Sequence, residues 1–354
     1  MRLEQIGSVL LNQASSHAQL HQALDDFIQI CGEVGGILPD SAFDAWSGDS
    51  LLADGVAIAP QAAANCARDY QRAVIFMRGV NAAMGQCRLQ FPGETLHILY
   101  AGCGPYATLL LPLLPLYRHH KLRICLLDIH QRSLDSVHGL LEHFQLTHHS
   151  IETVHGDACT YVHPNKLHLV ISETMQKSLE QEPQFAVTAQ LVPQLHTGGI
   201  FIPQKIEVRL GLLPKRLEQG ESSIHDFRAP PAGVGYRQIG AVLSLTQENV
   251  TSLSRSASSQ ENEPQRQLPP VVLDIPALSD LDQYDAALFT RIQVYRRHWL
   301  EDHAAEITLP QRCTDMSPLR AGQSWEISYQ LGSYPRFTIS PGSNKKSEGS
   351  QAGT

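Results

Sequence analysis

Five short apolar runs, at 96–100, 123–127, 151–154, 167–171 and 199–202, recur along one stretch of the chain, with helix-period patterns around 108–116, 133–144 and 185–195 between them. Most of these strands are apolar enough to need cover on both faces, and the intervening helices supply it, so the alternation predicts a parallel sheet built from βαβ units. Right-handed crossovers then give a doubly wound α/β layer. The texture changes on either side. Residues 1–95 read as helical, because Leu20, Leu24, Phe27, Ile28 and Cys31 recur at helical spacing, as do Tyr70, Val74, Met77 and Val80. Between these runs, 35–60 reads as loop with short turns. After 203 strand-like runs dominate, at 205–213, 241–246, 271–275, 288–294, 305–309 and 325–331. The Ser/Gln/Glu/Pro-rich stretch 251–270 predicts a long mobile loop, and the Gly/Ser/Lys-rich end a disordered tail. The expected organisation is a helical segment 1–95, a doubly wound domain 96–203, a β-rich substrate domain 204–340 and a tail 341–354.

Composition narrows the functional classes. At 354 residues, 42% hydrophobic and 18% charged, the chain can bury more than one core. Its 27 Lys and Arg against 35 Asp and Glu, with no long basic block, predict no nucleic-acid partner. The most apolar later run, 109–116, is eight residues broken by two prolines, and the opening residues carry no long apolar stretch, so no membrane association is expected. Seven scattered cysteines without a Cys-x-x-Cys predict reduced thiols and a cytoplasmic location. Neither they nor the seventeen histidines show metal-ligand spacing along the chain, so no metal is expected.

The first run leads into Ala101-Gly102-Cys103-Gly104-Pro105, where glycines allow the backbone to approach a nucleotide-bearing ligand. The second ends in Asp128, at the distance expected for an acid that holds ribose hydroxyls, and the third is followed by Gly156-Asp157-Ala158. Taken singly, these elements are also ordinary turn glycines and helix-capping acids. Together they resemble the class I S-adenosylmethionine methyltransferases, with a Rossmann-like core. That resemblance implies S-adenosylmethionine as cofactor, with Gly102 and Gly104 beside its methionine portion, Asp128 on the ribose and Asp157 near the adenine, and with Ala101, Cys103, Ile129 and Ala158 also among the residues that bind it. The chain departs from the family at Tyr100, which stands where an acidic residue is common. Gly102-x-Gly104-x-x-Ala107 also satisfies a relaxed dinucleotide fingerprint, so an NAD(P)-dependent oxidoreductase is the alternative. A non-catalytic cofactor-binding module is another.

After the fourth run comes Ser172-Glu173, and Glu182 follows with eight residues in between. The start and spacing resemble the double-glutamate loop of protein arginine methyltransferases. Asp69-Tyr70-Gln71-Arg72 resembles that family's Asp-x-x-Arg, and 199–203 resembles the strand by which it enters its β-barrel. The resemblance implies that Glu173 and Glu182 orient the acceptor, that Glu173 and Arg72 also serve the cofactor, and that the chain forms a homodimer. It leaves the acceptor open between a small molecule and a protein arginine. A plainer reading makes Glu180 and Glu182 first-turn acids of a helix starting near Pro183. The family's Thr-His-Trp turn has two imperfect counterparts, at Arg297-His298-Trp299 and at Asp302-His303, and its dimerisation arm has none.

Overall fold

The computed structural model describes residues 1–40, 42, 48–146, 150–215, 235–259 and 266–342. The N-terminal part is mainly helical: α1 (Leu3–Leu11), α2 (His17–Gly35), α3 (Pro60–Cys66) and α4 (Tyr70–Gln90). Helix α2 starts at a reciprocal cap, in which Ser16 Oγ accepts the Gln19 N–H and the Gln19 side chain accepts the Ser16 N–H. It stops at Gly36, whose φ of +70° lies in the left-handed region. Its stripe of Leu20, Leu24, Phe27, Ile28 and Cys31 is buried. Part of the expected loop at 35–60 is a hairpin, β1 (Ser50–Leu52) and β2 (Gly55–Ala57).

The central sheet is parallel throughout, in the order β5-β4-β3-β6-β7, from β3 (Leu96–Ala101), β4 (Leu122–Asp128), β5 (Ser150–His155), β6 (Leu167–Ser172) and β7 (Leu195–Ile202). Strand alternation sends Ile98, Tyr100, Ile124, Leu126, Leu169 and Ile171 to one face, packed with Val74, Met77 and Val80 of α4 and with α5 (Gln131–His143) through Leu134, Val137 and Leu140. Leu99, Ala101, Cys125, Leu127 and Val170 go to the other, against Val187 and Leu191 of α6 (Gln184–Leu191). Strand order reverses between β3 and β6, and open sheets of this kind bind ligands at the carboxyl edge of such a reversal. One expected helix is absent: 108–116 gives turns and a 3₁₀ segment, Leu111–Tyr117. Pro112 and Pro115 lack the N–H groups an α-helix needs there.

The β-rich part forms two antiparallel sheets. One joins β14 (His298–Leu300), β13 (Tyr284–Tyr295), β8 (Lys205–Pro214) and β9 (Arg237–Thr246), with β15 (Gln311–Arg312) on β13. The other joins β10 (Ser258–Ser259), β11 (Arg266–Gln267), β16 (Ser324–Gln330) and β12 (Val271–Asp274), with β17 (Arg336–Pro341) on β16. Their core is made by Val208, Leu210, Leu243, Leu245, Ile327 and Tyr329.

Three expectations are corrected here. The stretch 251–270 is not one loop, since it contains most of helix α7 (Val250–Ser256) with β10 and β11, and 260–265 lie outside the described residues. Val250 is buried and Leu253 packs on the core, so a one-turn apolar pair overrides the polar composition. The run 305–309 is a 3₁₀ turn at Glu306–Thr308, closed by the Ala305 N–H donating to Thr308 Oγ1 at 2.9 Å. Pro341 ends β17 opposite Trp325 rather than starting a tail, of which 343–354 lie outside the described residues. No described helix is long and apolar enough to cross a membrane, and the seven cysteines are all free thiols.

Candidate functional site

A cleft with about 1030 Å³ of space opens at the carboxyl ends of β3, β4 and β6. Its floor is the Gly102–Gly104 turn. Both glycines have left-handed φ, +68° and +62°, and a Cβ on Gly102 would meet Thr174 Cγ2 at 2.5 Å. The Gly102 and Cys103 N–H groups donate to the Leu127 carbonyl, at 2.9 and 3.1 Å, which pins the turn to β4. Asp128 is buried at the end of β4, its carboxylate accepting the N–H groups of Gly104 and His130, both at 2.9 Å. Each oxygen keeps lone-pair capacity for a ligand hydroxyl. Asp157 likewise accepts the Cys159 N–H at 2.8 Å and still borders the cleft. The two acids therefore organise backbone and also face the cavity.

Arg72, Gly102, Cys103, Gly104, Asp128, Ile129, Asp157, Ala158, Glu173 and Glu182 all line this one cleft. Ala101 does not: it is fully buried, packed beneath the sheet edge with Leu99 and Leu127. Burial pushes the Cys103 thiol well above its ordinary range, which leaves it protonated and unreactive. Tyr100 also lines the cleft, and burial raises its phenol far above the usual value, so it supplies no negative charge there. No α-helix follows the glycine turn. A dinucleotide site of the usual kind needs a helix N-terminus to receive its pyrophosphate, so this arrangement disfavours the nicotinamide alternative.

The opposite end of the cleft is ionic. Arg72, on the first turn of α4, forms a buried ion pair with Glu173, which follows β6. Burial raises the Glu173 carboxyl, and the Arg72 charge opposes that rise. Glu182 has no such cation bonded to it. Burial, then the Glu173 charge, push its carboxyl up to about 8. Asp69 caps α4 by accepting the Arg72 N–H at 3.2 Å, and its second oxygen accepts the Glu306 N–H at 2.8 Å. This contact brings 301–309 against the acidic end of the site. Neither candidate histidine reaches it: His303 stacks on Tyr236 with ring centroids 5.0 Å apart, His298 lies in β14, and the cleft is lined by neither.

The segment joining the two glutamates is held in an uncommon backbone. Ser178, Leu179 and Gln181 have φ of +56°, +53° and +63°, values that non-glycine residues adopt only under outside constraint. The constraint comes from the rest of the chain. Ser178 N–H donates to Thr290 Oγ1 (2.9 Å), Tyr329 Oη donates to the Leu179 carbonyl (2.6 Å), and Gln181 N–H donates to the Pro335 carbonyl (2.7 Å). From the other side, the Val56 N–H of the hairpin donates to the Gln181 carbonyl at 2.7 Å, while Ser50 Oγ meets His130 Nε2 at 3.1 Å. The hairpin thus spans from the end of β4 to the glutamate segment, and Leu52 and Ala57 close the cleft beneath it.

Sequence reasoning missed this hairpin, Glu306 and Gln184. Buried Gln184 accepts the Thr174 N–H (3.0 Å) and hydroxyl (3.1 Å), fixing the residue after Glu173. Its place next to Pro183 marked a helix start and nothing more. A second cleft, with about 970 Å³ of space, shares Glu182 and Pro183 with the first and runs between α6 and the β16–β17 turn.

No family model matches the sequence, and no curated protein matches it. Among solved structures the chain is similar to the Trypanosoma brucei PRMT1 enzyme-prozyme heterotetrameric complex with AdoHcy. The identity is 13%, over 75% of this chain and 86% of that one, with a TM-score of 0.44. It is also similar to Arabidopsis thaliana protein arginine methyltransferase 10, at 13% identity over 73% of this chain and 86% of that one, with a TM-score of 0.40. At this distance neither structure assigns a role to any residue of this chain.

Proposed function

We propose that the chain is an S-adenosylmethionine-dependent methyltransferase whose acceptor is a cationic nitrogen, an amine or guanidine on a small molecule or a protein side chain. In this reading 96–203 bind the cofactor, 1–95 cover it and 204–340 help select the acceptor. The observation that carries the reading is the order of groups along one cleft: Asp157 and Asp128 at one end, the glycine turn between, and Arg72, Glu173 and Glu182 at the other. The group fits this cavity. A Cβ on Gly102 would collide with Thr174, so the turn presents bare backbone to the cavity, and the charges along it change sign where the ligand's would. When bound, S-adenosylmethionine supplies a methyl group activated on a sulfonium.

The residues then divide the work. Asp128 accepts hydrogen bonds from ribose hydroxyls, and Arg72, with donors beyond the one given to Glu173, takes the amino-acid carboxylate. Glu173, already neutralised by Arg72, orients the acceptor. Without an acceptor cation, burial and the Glu173 charge hold the Glu182 carboxyl up to about 8, which keeps it protonated at neutral pH. An incoming cation favours its ionised form, so acceptor binding releases a proton. From a guanidinium the carboxylate takes up the N–H proton as the N–C bond forms and the methyl's bond to sulfur breaks; from an ammonium it takes the proton first, which frees the lone pair for attack. Catalysis of this kind is positioning and electrostatics. The second cleft shares Glu182 and Pro183 with the first, which supports it as the route for the acceptor.

Calorimetric titration of the purified chain with S-adenosylmethionine, S-adenosylhomocysteine, NAD and NADP tests the cofactor. The expected result is micromolar binding of the two S-adenosyl compounds alone, weakened tenfold or more in Asp128→Ala, by the loss of about 1.4 kcal/mol or more expected of a hydrogen bond to a charged group. Asp128→Asn keeps an acceptor for one of the two backbone N–H groups and guards against a folding defect. Binding of nicotinamide nucleotides instead would overturn the reading.

A further inference from the structure

Strands β4 and β5 run in register with Cys125 opposite Glu152, so both side chains leave the same face of the sheet. That face is the one packed by α6, and neither residue lines the nucleotide cleft. The connection from β5 to β6 crosses the same face and carries Tyr161 and His163. There the Cys125 thiol, a Glu152 carboxylate oxygen and a ring nitrogen of His163 lie within 4.8 Å of one another. Two further features go beyond proximity. The Tyr161 hydroxyl lies 3.2 Å from His163 Nδ1 and 3.5 Å from Cys125 Sγ. The other ring nitrogen, His163 Nε2, is buried and has no hydrogen-bond partner. A buried polar atom left unpaired costs stability, and nothing else in the described structure accounts for it. A histidine oriented through one nitrogen, with a hydroxyl bridging it to a neighbouring thiol, resembles the outer-shell arrangement around bound metals.

We propose that Cys125, Glu152 and His163 form a binding site for a borderline-soft divalent metal ion, zinc foremost. One thiolate, one imidazole and one carboxylate suit zinc in ligand type, and a water completes the tetrahedron. Tetrahedral zinc at about 2.0–2.3 Å from each donor needs donors roughly 3.3–3.8 Å apart. Glu152 is the ligand that adjusts, because it is exposed, and β5 is the edge strand of its sheet, which gives a hydrated ion access. The ion would tie the 156–166 connection to β4 and β5. That connection begins with Gly156, Asp157 and Ala158 of the nucleotide cleft, and the Asp157 carbonyl accepts the Tyr161 N–H at 2.9 Å. The metal would therefore brace one wall of the cleft from outside it. Spacing along the sequence could not show this cluster, since its three members come from different elements.

The test uses the full chain, stripped of metal by a chelator and titrated with Co²⁺ as a spectroscopic probe, then with Zn²⁺. The expected result is a thiolate-to-cobalt charge-transfer band that saturates at one equivalent, is displaced by Zn²⁺ and is absent in Cys125→Ser. Zn²⁺ affinity should weaken tenfold or more in Glu152→Gln and in His163→Gln. Absence of the band in the wild type, or its persistence in Cys125→Ser, overturns the proposal. If Cys125→Ser fails to fold by circular dichroism, unchanged Zn²⁺ affinity in both Glu152→Gln and His163→Gln overturns it equally. None of these readouts depends on what the nucleotide cleft binds.

Discussion

Glu182 and Glu173 are two buried carboxyls at one end of a cleft, and they differ in what lies beside them. Glu173 has the Arg72 guanidinium; Glu182 has the Glu173 charge and a polar neighbour in Gln176. With a folded value of about 8 against an ordinary 4.5, Glu182 favours the fold fully below pH 4.5, and that contribution is lost as pH rises through about 8. Glu182→Gln should therefore stabilise the acceptor-free protein at pH 8.5, on the order of a few kcal/mol, and leave it nearly unchanged at pH 4.5. Urea melts at the two pH values measure this. The same substitution should lower turnover on the order of 10²-fold once an acceptor is found, with S-adenosylmethionine affinity kept, because the lost interaction is with the acceptor. An equal loss of turnover and cofactor affinity would remove Glu182 from the role given to it.

At the scale of elements, the hairpin and the glutamate segment hold each other. Gly55 sits where they meet, with φ of +152°, and a Cβ there would lie 2.7 Å from the Pro183 nitrogen and 2.9 Å from the Gln181 carbonyl oxygen. The contact is backbone against backbone, which has no side chain to move aside. Gly55→Ala should cost about 1–3 kcal/mol through local strain and displacement. It should also weaken cofactor binding, because Leu52 and Ala57 of the same hairpin close the cleft. Calorimetry on a variant shown to be folded checks both effects. A loss of stability with unchanged cofactor affinity would mean the hairpin does not act as a lid.

At the scale of the molecule, the sheet carries a row of stacked imidazoles across β3, β6 and β7. The rings of His97 and His168 are 5.9 Å apart, and those of His168 and His196 are 5.4 Å apart. Burial lowers His168, opposed by Glu94, and burial with the neighbouring His163 and His168 lowers His97. Lowered imidazoles contribute stability that is fully present above the ordinary 6.5 and is lost as pH falls through the folded values. Glu182 acts in the opposite direction over part of this range, so the readout is a difference between proteins. His168→Gln should show a shallower loss of Tm between pH 7 and 5 than the wild type, and an unchanged slope would remove the row as a source of acid sensitivity.

Local patterns decided much of this protein. The apolar runs at 96–100, 123–127, 167–171 and 199–202 specified most of the parallel sheet, because a strand buried on both faces can be written only in such residues, while edge strand β5 was marked by Ile151 and Val154 alone. Gly102, Gly104 and Asp128 marked the turn and the strand end that border the cleft, since tight turns restrict residue type locally. Elsewhere composition misled. Pro112 and Pro115 converted an apolar helix pattern into 3₁₀ turns, and Val250 with Leu253 made helix from a polar stretch. The remainder lay beyond any local signal. The left-handed backbone at Ser178, Leu179 and Gln181 exists because Thr290, Tyr329, Pro335 and Val56 hold it. The unequal environments of Glu173 and Glu182 depend on Arg72, and the meeting of Cys125, Glu152 and His163 depends on strand register. A sequence fixes which residues each segment can bury, but burial, charge pairing and contact between distant segments arise only when the elements close on one another.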